Sequence, residues 1–158
     1  IRAFERMKAA TGLPHALVIA GEHGWKFDRE AALAGVSEGD RVRFVGFVPD
    51  GDMAALYTLA DAFAFPTLYE GFGIPVIEAQ RCGAPVLASN VSCLPEVGGD
   101  GALYVDPYSE SAIADGLARI LTDEGLREGL VRAGYANAAR YSWEASAREL
   151  KKIVEGCM

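Results

Sequence analysis

The stretch Glu70-Gly71-Phe72-Gly73-Ile74-Pro75-Val76-Ile77-Glu78 decides how this 158-residue chain reads. It follows the apolar run Ala62 to Pro66, which has the form of a buried strand ending in a break. Two glycines then lead into a helix opened by Pro75, whose fixed φ suits a first helical turn. The N–H groups at such a helix start lack backbone partners and make an anion site. One carboxylate stands on each side of it. A phosphate cradle flanked by hydroxyl-binding acids is the chemistry a nucleotide-sugar pocket requires.

Outward from that stretch, strand and helix alternate. Residues 1–11 read as an amphipathic helix stopped by Gly12 and Pro14, with Ile1, Phe4 and Met7 already at helical spacing. Ala16 to Ala20 is a short apolar strand ended by Gly21, residues 27–34 are a weaker helix candidate, and Arg41 to Phe47 is a second strand. Asp50 or Asp52 is placed to cap a helix carrying Met53, Leu56, Tyr57 and Leu59. The third strand, Ala62 to Phe65, precedes the helix from Pro75 to about Cys82. Gly83 suits the C′ position there, and Pro85 opens the strand Val86 to Ala88. A strand at Ala102 to Val105 follows, and then three helices, the last capped by Ser142 and carrying Trp143, Ala147, Leu150 and Val154. Short glycine-rich connections between such units imply an α/β fold, a Rossmann-like parallel sheet with helices on both faces. Right-handed crossovers then put ligands at the carboxyl edge of the strands, where the Glu70 turn lies.

The candidate site residues follow from this placement. Beyond the end of a strand, Glu70 can accept hydrogen bonds from sugar hydroxyls and steady positive charge at an anomeric carbon; it can equally be a loop acid that favours the helix dipole. Gly71 and Gly73 are expected at positive φ, allowing close backbone approach to a phosphate. Phe72 contributes its N–H while its ring packs. Glu78, eight residues after Glu70, can accept bonds from both hydroxyls of a ribose, or simply complement the dipole. At the same edge, Gly21 (with Glu22, His23 and Gly24) and the Val48-Pro49 turn offer backbone groups to a base. His23 reads as a surface loop residue, His15 as structural, Glu96 as a helix-start acid and Trp143 as a packing anchor. The two histidines are too far apart to suggest a metal site, and no Lys or Arg falls near the expected pocket edge.

Composition bounds the alternatives. One domain of this length can bury a substantial core. A net charge of −7 argues against a nucleic-acid binder. Three scattered cysteines suit neither a disulfide framework nor a zinc site, and no apolar run approaches a transmembrane span. The chain begins at Ile1, already inside a helical pattern, which suggests a fragment whose start lies upstream.

Gly-Phe-Val at 46–48, the run from Ala62 to Glu78, Cys82-Gly83-Ala84-Pro85-Val86 and Leu94-Pro95-Glu96-Val97 together resemble the retaining glycosyltransferases of the GT-B fold. More narrowly, they resemble the group-1 family with the Glu-x7-Glu motif, which includes mannosyltransferases of polysaccharide assembly. The resemblance implies two Rossmann-like domains, the C-terminal one binding the nucleotide sugar and the N-terminal one supplying most of the acceptor site. It assigns Glu70 to the donor sugar, the Phe72–Ile74 backbone to sugar and phosphate, Glu78 to the ribose and the Val48 backbone to the base. It implies retention by a front-side path, no metal and no cofactor beyond a GDP- or UDP-sugar as co-substrate, and a carbohydrate or lipid-linked acceptor. The few scattered cysteines make a reduced, cytoplasmic compartment the default reading, and the resemblance leaves peripheral attachment at the inner membrane open to the full-length protein. The family's phosphate-binding Arg/Lys pair falls before Ile1. Residues 1–158 are therefore expected to be one donor-binding domain truncated at its N-terminal edge, without the acceptor domain and inactive alone. The alternative is a non-catalytic nucleotide- or phosphate-binding module; a nucleotide-sugar epimerase would need acid/base residues that are not evident.

Overall fold

A computed structural model of the chain describes residues 1–21 and 41–157. The helix expected at 27–34, together with Glu22, His23 and Gly24, lies outside the described residues. Helix α1 (Arg2–Thr11) ends at Gly12, whose left-handed φ of 67° lets its N–H reach the Lys8 carbonyl at 2.8 Å. Strands β1 (Leu17–Ala20) and β2 (Val42–Gly46) precede α2 (Asp50–Leu59), β3 (Phe63–Phe65) and α3 (Ile74–Arg81). Then come β4 (Val86–Ser89), the short α4 (Leu94–Gly98) and β5 (Ala102–Val105). Helices α5 (Glu110–Thr122), α6 (Glu124–Ala138) and α7 (Trp143–Gly156) complete the order.

Local chemistry accounts for the helix starts. Ser109 accepts from the Ala112 N–H at 3.1 Å, Asp123 from Leu126 at 2.9 Å and Ser142 from Ala145 at 3.0 Å. Helix α2 departs from expectation, because Pro49 occupies its cap position and no side chain caps it. Asp50 and Asp52 sit in its first turn, where a negative charge favours the dipole. Glu96 lies in the first turn of α4, as its position after Pro95 suggests.

Every strand pairing among the described residues is parallel. The sheet is divided, however: β1 pairs with β2, while β3, β4 and β5 form a separate sheet in that order. All four residues of the central strand β4 are buried, and its side chains alternate between two cores. Leu87 packs with Phe4, Met7, Val105 and Ile120, whereas Val86 and Ala88 pack with Tyr57, Val76, Ala79 and Leu94. Helices α1 and α5 thus cover one face and α2 and α3 the other. The first core also takes in Val42 of β2, so it runs beneath both sheets. His15, at the entrance to β1, points Nε2 at Asp61 Oδ2 across 3.7 Å, in keeping with a structural role.

The C-terminal helix corrects one reading. Trp143 is 79% exposed rather than a packing anchor, and no residue of α7 is buried, including Leu150 and Val154. Its apolar spacing is genuine, but the rest of the described chain does not cover it. No helix among the described residues is long and apolar enough to cross a membrane.

Helix α3 is fixed from behind by a buried polar network. Gln80 donates through Nε2 to the Gly98 carbonyl at 2.8 Å and accepts at Oε1 from Asn137 Nδ2 at 2.8 Å. The same Asn137 amide nitrogen reaches the Val97 carbonyl at 2.8 Å, so the buried amides are matched. Close backbone approach permits this geometry: a Cβ on Gly101 would stand 2.5 Å from Gly134 Cα and 2.8 Å from its nitrogen. Backbone cannot swing aside as a side-chain tip can. Gly101→Ala is therefore expected to destabilise the fold by about 2–3 kcal/mol through overpacking, read as a lowered Tm. A Tm equal to that of the parent would show that the α6 contact yields freely.

Candidate functional site

The turn between β3 and α3 lies at the carboxyl edge of the three-stranded sheet. Its entry is tied to β4, where fully buried Ser89 donates through Oγ to the Thr67 carbonyl at 2.6 Å. Its exit is Gly73, buried and at φ 92°, which takes the N-cap position of α3. The left-handed φ demands glycine, and a Cβ at Gly73 would stand 2.5 Å from the buried Leu94 Cδ2, which would have to shift. Gly71 does not follow its expected pattern: its φ is not in the left-handed region, and nothing lies within 4 Å of an added Cβ. Helix α3 begins at Ile74, one residue before Pro75, and Ile74 is exposed at its mouth.

Glu70 is half-buried, and its carbonyl accepts from Ser92 Oγ at 2.5 Å and from Cys93 Sγ at 3.4 Å. Phe72 keeps its ring partly exposed, meeting the Tyr141 ring edge-on at 6.0 Å, while its carbonyl accepts from Cys93 Sγ at 3.2 Å. Glu78 is exposed and sits beyond the first turn of α3, where no acid is found. Dipole complementarity, which fades within one turn, is therefore a poor account of it. A specific partner holds the carboxylate instead: buried Tyr57 donates from its hydroxyl to Glu78 Oε2 at 3.2 Å. Burial, and then the charge of Glu78 and the hydrogen bond to it, push the Tyr57 pKa well above its ordinary value. The phenol thus remains a proton donor at neutral pH, and the other carboxylate oxygen has no partner among the described residues.

Gly21 and Val48 stand at the carboxyl ends of β1 and β2. The Gly21 N–H donates to the Gly46 carbonyl at 2.8 Å, both glycines at positive φ, so that N–H closes the strand pair rather than facing outward. Val48 is half-buried between exposed Phe47 and Pro49. Arg81, the cation on α3, is tied to the Ala138 and Tyr141 carbonyls at 3.1 and 2.7 Å. It does not supply a phosphate contact at the opposite end of its helix.

Four contributors were missed in the sequence: Tyr57, Ser89, Ser92 and Cys93. Tyr57 read as one more apolar position of α2, and its carboxylate partner lies 21 residues away. The positive φ of Ser92, 59°, leaves no mark in a serine. A groove of about 700 Å³ lies elsewhere, lined by Asp61, Gly83, Pro85, Arg127, Arg132 and Tyr135. Asp61 and Pro85 precede β3 and β4, so the groove sits at the amino edge, whereas doubly wound sheets take ligands at the carboxyl edge.

Residues 1–137 match the family described as Glycosyl transferases group 1. The O-antigen chain mannosyltransferase B of Escherichia coli is 40% identical over 147 residues, covering 91% of this chain and 38% of that protein. The sucrose-phosphate synthase of Thermosynechococcus elongatus superposes with a TM-score of 0.82 at 28% identity, over 98% of this chain and 42% of the other. Anabaena HepE, solved with UDP and glucose, shares the fold at a TM-score of 0.79 and 19% identity, over 95% of this chain and 43% of the other. The chain spans about two-fifths of the length of these relatives. By this match over most of its residues, the chain belongs to the group 1 glycosyltransferase family, with the α/β fold of the GT-B transferases.

Proposed function

We propose that residues 1–158 form the donor-binding domain of a metal-independent, retaining glycosyltransferase that moves a sugar from a GDP- or UDP-sugar to a hydroxyl acceptor in polysaccharide or glycolipid assembly. One observation carries the reading: half-buried Glu70 and Tyr57-held Glu78 bracket a helix start that Gly73 opens at the carboxyl edge. Unpaired N–H groups there suit a diphosphate. Glu70 would then meet the donor sugar, the Gly71–Ile74 backbone the phosphates, Glu78 the ribose hydroxyls, and the Gly21 and Val48 turns the base. On a front-side path the acceptor oxygen bonds the anomeric carbon as the diphosphate departs, and a diphosphate oxygen takes the hydroxyl proton. Glu70 would steady the positive charge that develops between those events.

The divided sheet supports a reading in which both parts belong to one larger sheet with a central strand between them. In a doubly wound sheet of order 3-2-1-4-5-6, a first strand lies between two flanks. The pairs β2–β1 and β3–β4–β5 have the order of those flanks. We therefore propose that the first strand belongs to the remainder of a longer protein; the family resemblance and the two-fifths coverage of the relatives add the phosphate-binding Arg/Lys pair and the facing acceptor domain to that proposal. Transfer to a growing glycan chain fits the relative's name, an O-antigen chain mannosyltransferase; a cytoplasmic location, peripheral at the inner membrane, is part of the same proposal.

In that longer protein, Glu70→Ala is expected to lower kcat by about 10²–10³, the scale of a lost transition-state electrostatic contact. Glu78→Ala is expected mainly to weaken nucleoside diphosphate binding, by about 10–100-fold, the scale of one lost hydrogen bond to a charged group. Steady-state kinetics and calorimetry separate the two roles; unchanged values in both variants would defeat the assignment, and intact binding with no transfer in the parent would favour the non-catalytic module. Tyr57→Phe, which keeps the ring but frees Glu78, is expected to weaken nucleoside binding by about three- to tenfold. Identical affinity in this variant would mean that Tyr57 does not orient the carboxylate.

A further inference from the structure

Ser92 is the sole non-glycine residue at positive φ among the described residues, at 59°. Such a conformation persists where the surroundings impose it, and it concentrates at functional positions. Its hydroxyl donates to the Glu70 carbonyl at 2.5 Å, and the neighbouring Cys93 thiol is shared between the Phe72 carbonyl at 3.2 Å and the Glu70 carbonyl at 3.4 Å. The loop after β4 therefore grips two carbonyls of the β3–α3 turn, two residues apart.

A trans peptide is planar, so its C=O and the following N–H point in opposite directions. Drawing the Glu70 carbonyl toward Ser92 turns the Gly71 N–H away from that loop. Drawing the Phe72 carbonyl toward Cys93 does the same for the Gly73 N–H. Neither N–H has a partner among the described residues. We infer that Ser92 and Cys93 are positioning residues, which hold the peptides at 70–71 and 72–73 so that the Gly71 and Gly73 N–H groups face the diphosphate of the donor. This rests on the donor-site reading above. Gly71 needs such help: it is exposed and sterically unconfined, so nothing in its own packing holds its peptide plane. The donors act on backbone, so their effect should fall on phosphate recognition and spare the nucleoside.

The test is calorimetric titration of the longer protein with UDP and GDP, and with uridine and guanosine, in parent, Ser92→Gly/Cys93→Ala and Cys93→Ser forms. Glycine keeps the left-handed backbone at position 92 without the hydroxyl, and serine keeps a donor at position 93 without the sulfur. The double variant is expected to bind the diphosphate about tenfold more weakly with nucleoside affinity unchanged, and Cys93→Ser to stay near the parent. Two results overturn the positioning role: unchanged diphosphate affinity in the double variant, or equal losses for diphosphate and nucleoside, which a merely structural defect would produce. A parent that binds the diphosphate no more tightly than the nucleoside would instead defeat the donor-site reading itself.

Discussion

The close approach of Gly73 to Leu94 is the constraint on which the rest of the structure depends. The chain leaves β3, crosses the sheet edge and enters α3 at a left-handed φ of 92°, where an added Cβ would press on the buried Leu94 side chain. Leu94 is fully buried in the core that holds Val76 and Ala79 of α3 and Val86 and Ala88 of β4. The contact therefore locks the start of α3 to the start of α4. It also brings Ser92 and Cys93, just ahead of α4, beneath the carbonyls they bind. On the proposed reading, the diphosphate would meet backbone that is already ordered, so binding need not supply that ordering.

Helix α3 acts as the shared strut. At its start lie the open N–H groups, one turn on lies Glu78 on Tyr57, and at its far end Gln80 and Arg81 are tied into α4, α6 and the Tyr141 carbonyl. Each of these ties is polar and several are buried, an arrangement that rigidifies when every member is satisfied and weakens when one is lost. Phe72 adds an apolar link from the turn to Tyr141. Tyr104 supports α4 from below by donating to the Gly99 carbonyl at 2.8 Å; burial, with Asp100 and Tyr141 nearby, pushes its hydroxyl up to about 12. The site is thus built from the second core outward.

Much of the fold was legible because its signals are local. Glycine at helix ends, serine caps and short apolar strands each act within a few residues, and Gly12, Gly83, Ser142 and β4 stand where those signals put them. Glu70 and Glu78 were legible as a spaced pair across a glycine turn. What stayed hidden is tertiary. The hydrogen bond from Tyr57 joins residues 21 apart, and that from Ser92 residues 22 apart. Pro49 displaced the aspartate cap of α2, and Gly71 showed that a glycine in such a turn need not be at positive φ. Trp143 misled because helical spacing reveals an apolar face and not whether anything covers it. The division between β1 and β3 was equally invisible, since apolar runs announce strands but not their neighbours.

The most direct measurement is a crystal structure of the longer protein with an intact UDP- or GDP-sugar. The account predicts the diphosphate on the N–H groups of Gly71 to Ile74, the ribose hydroxyls on Glu78 and the sugar beside Glu70. A nucleotide seated in the groove of Asp61, Arg127 and Arg132 at the opposite edge, with the Glu70–Glu78 turn untouched, would contradict it.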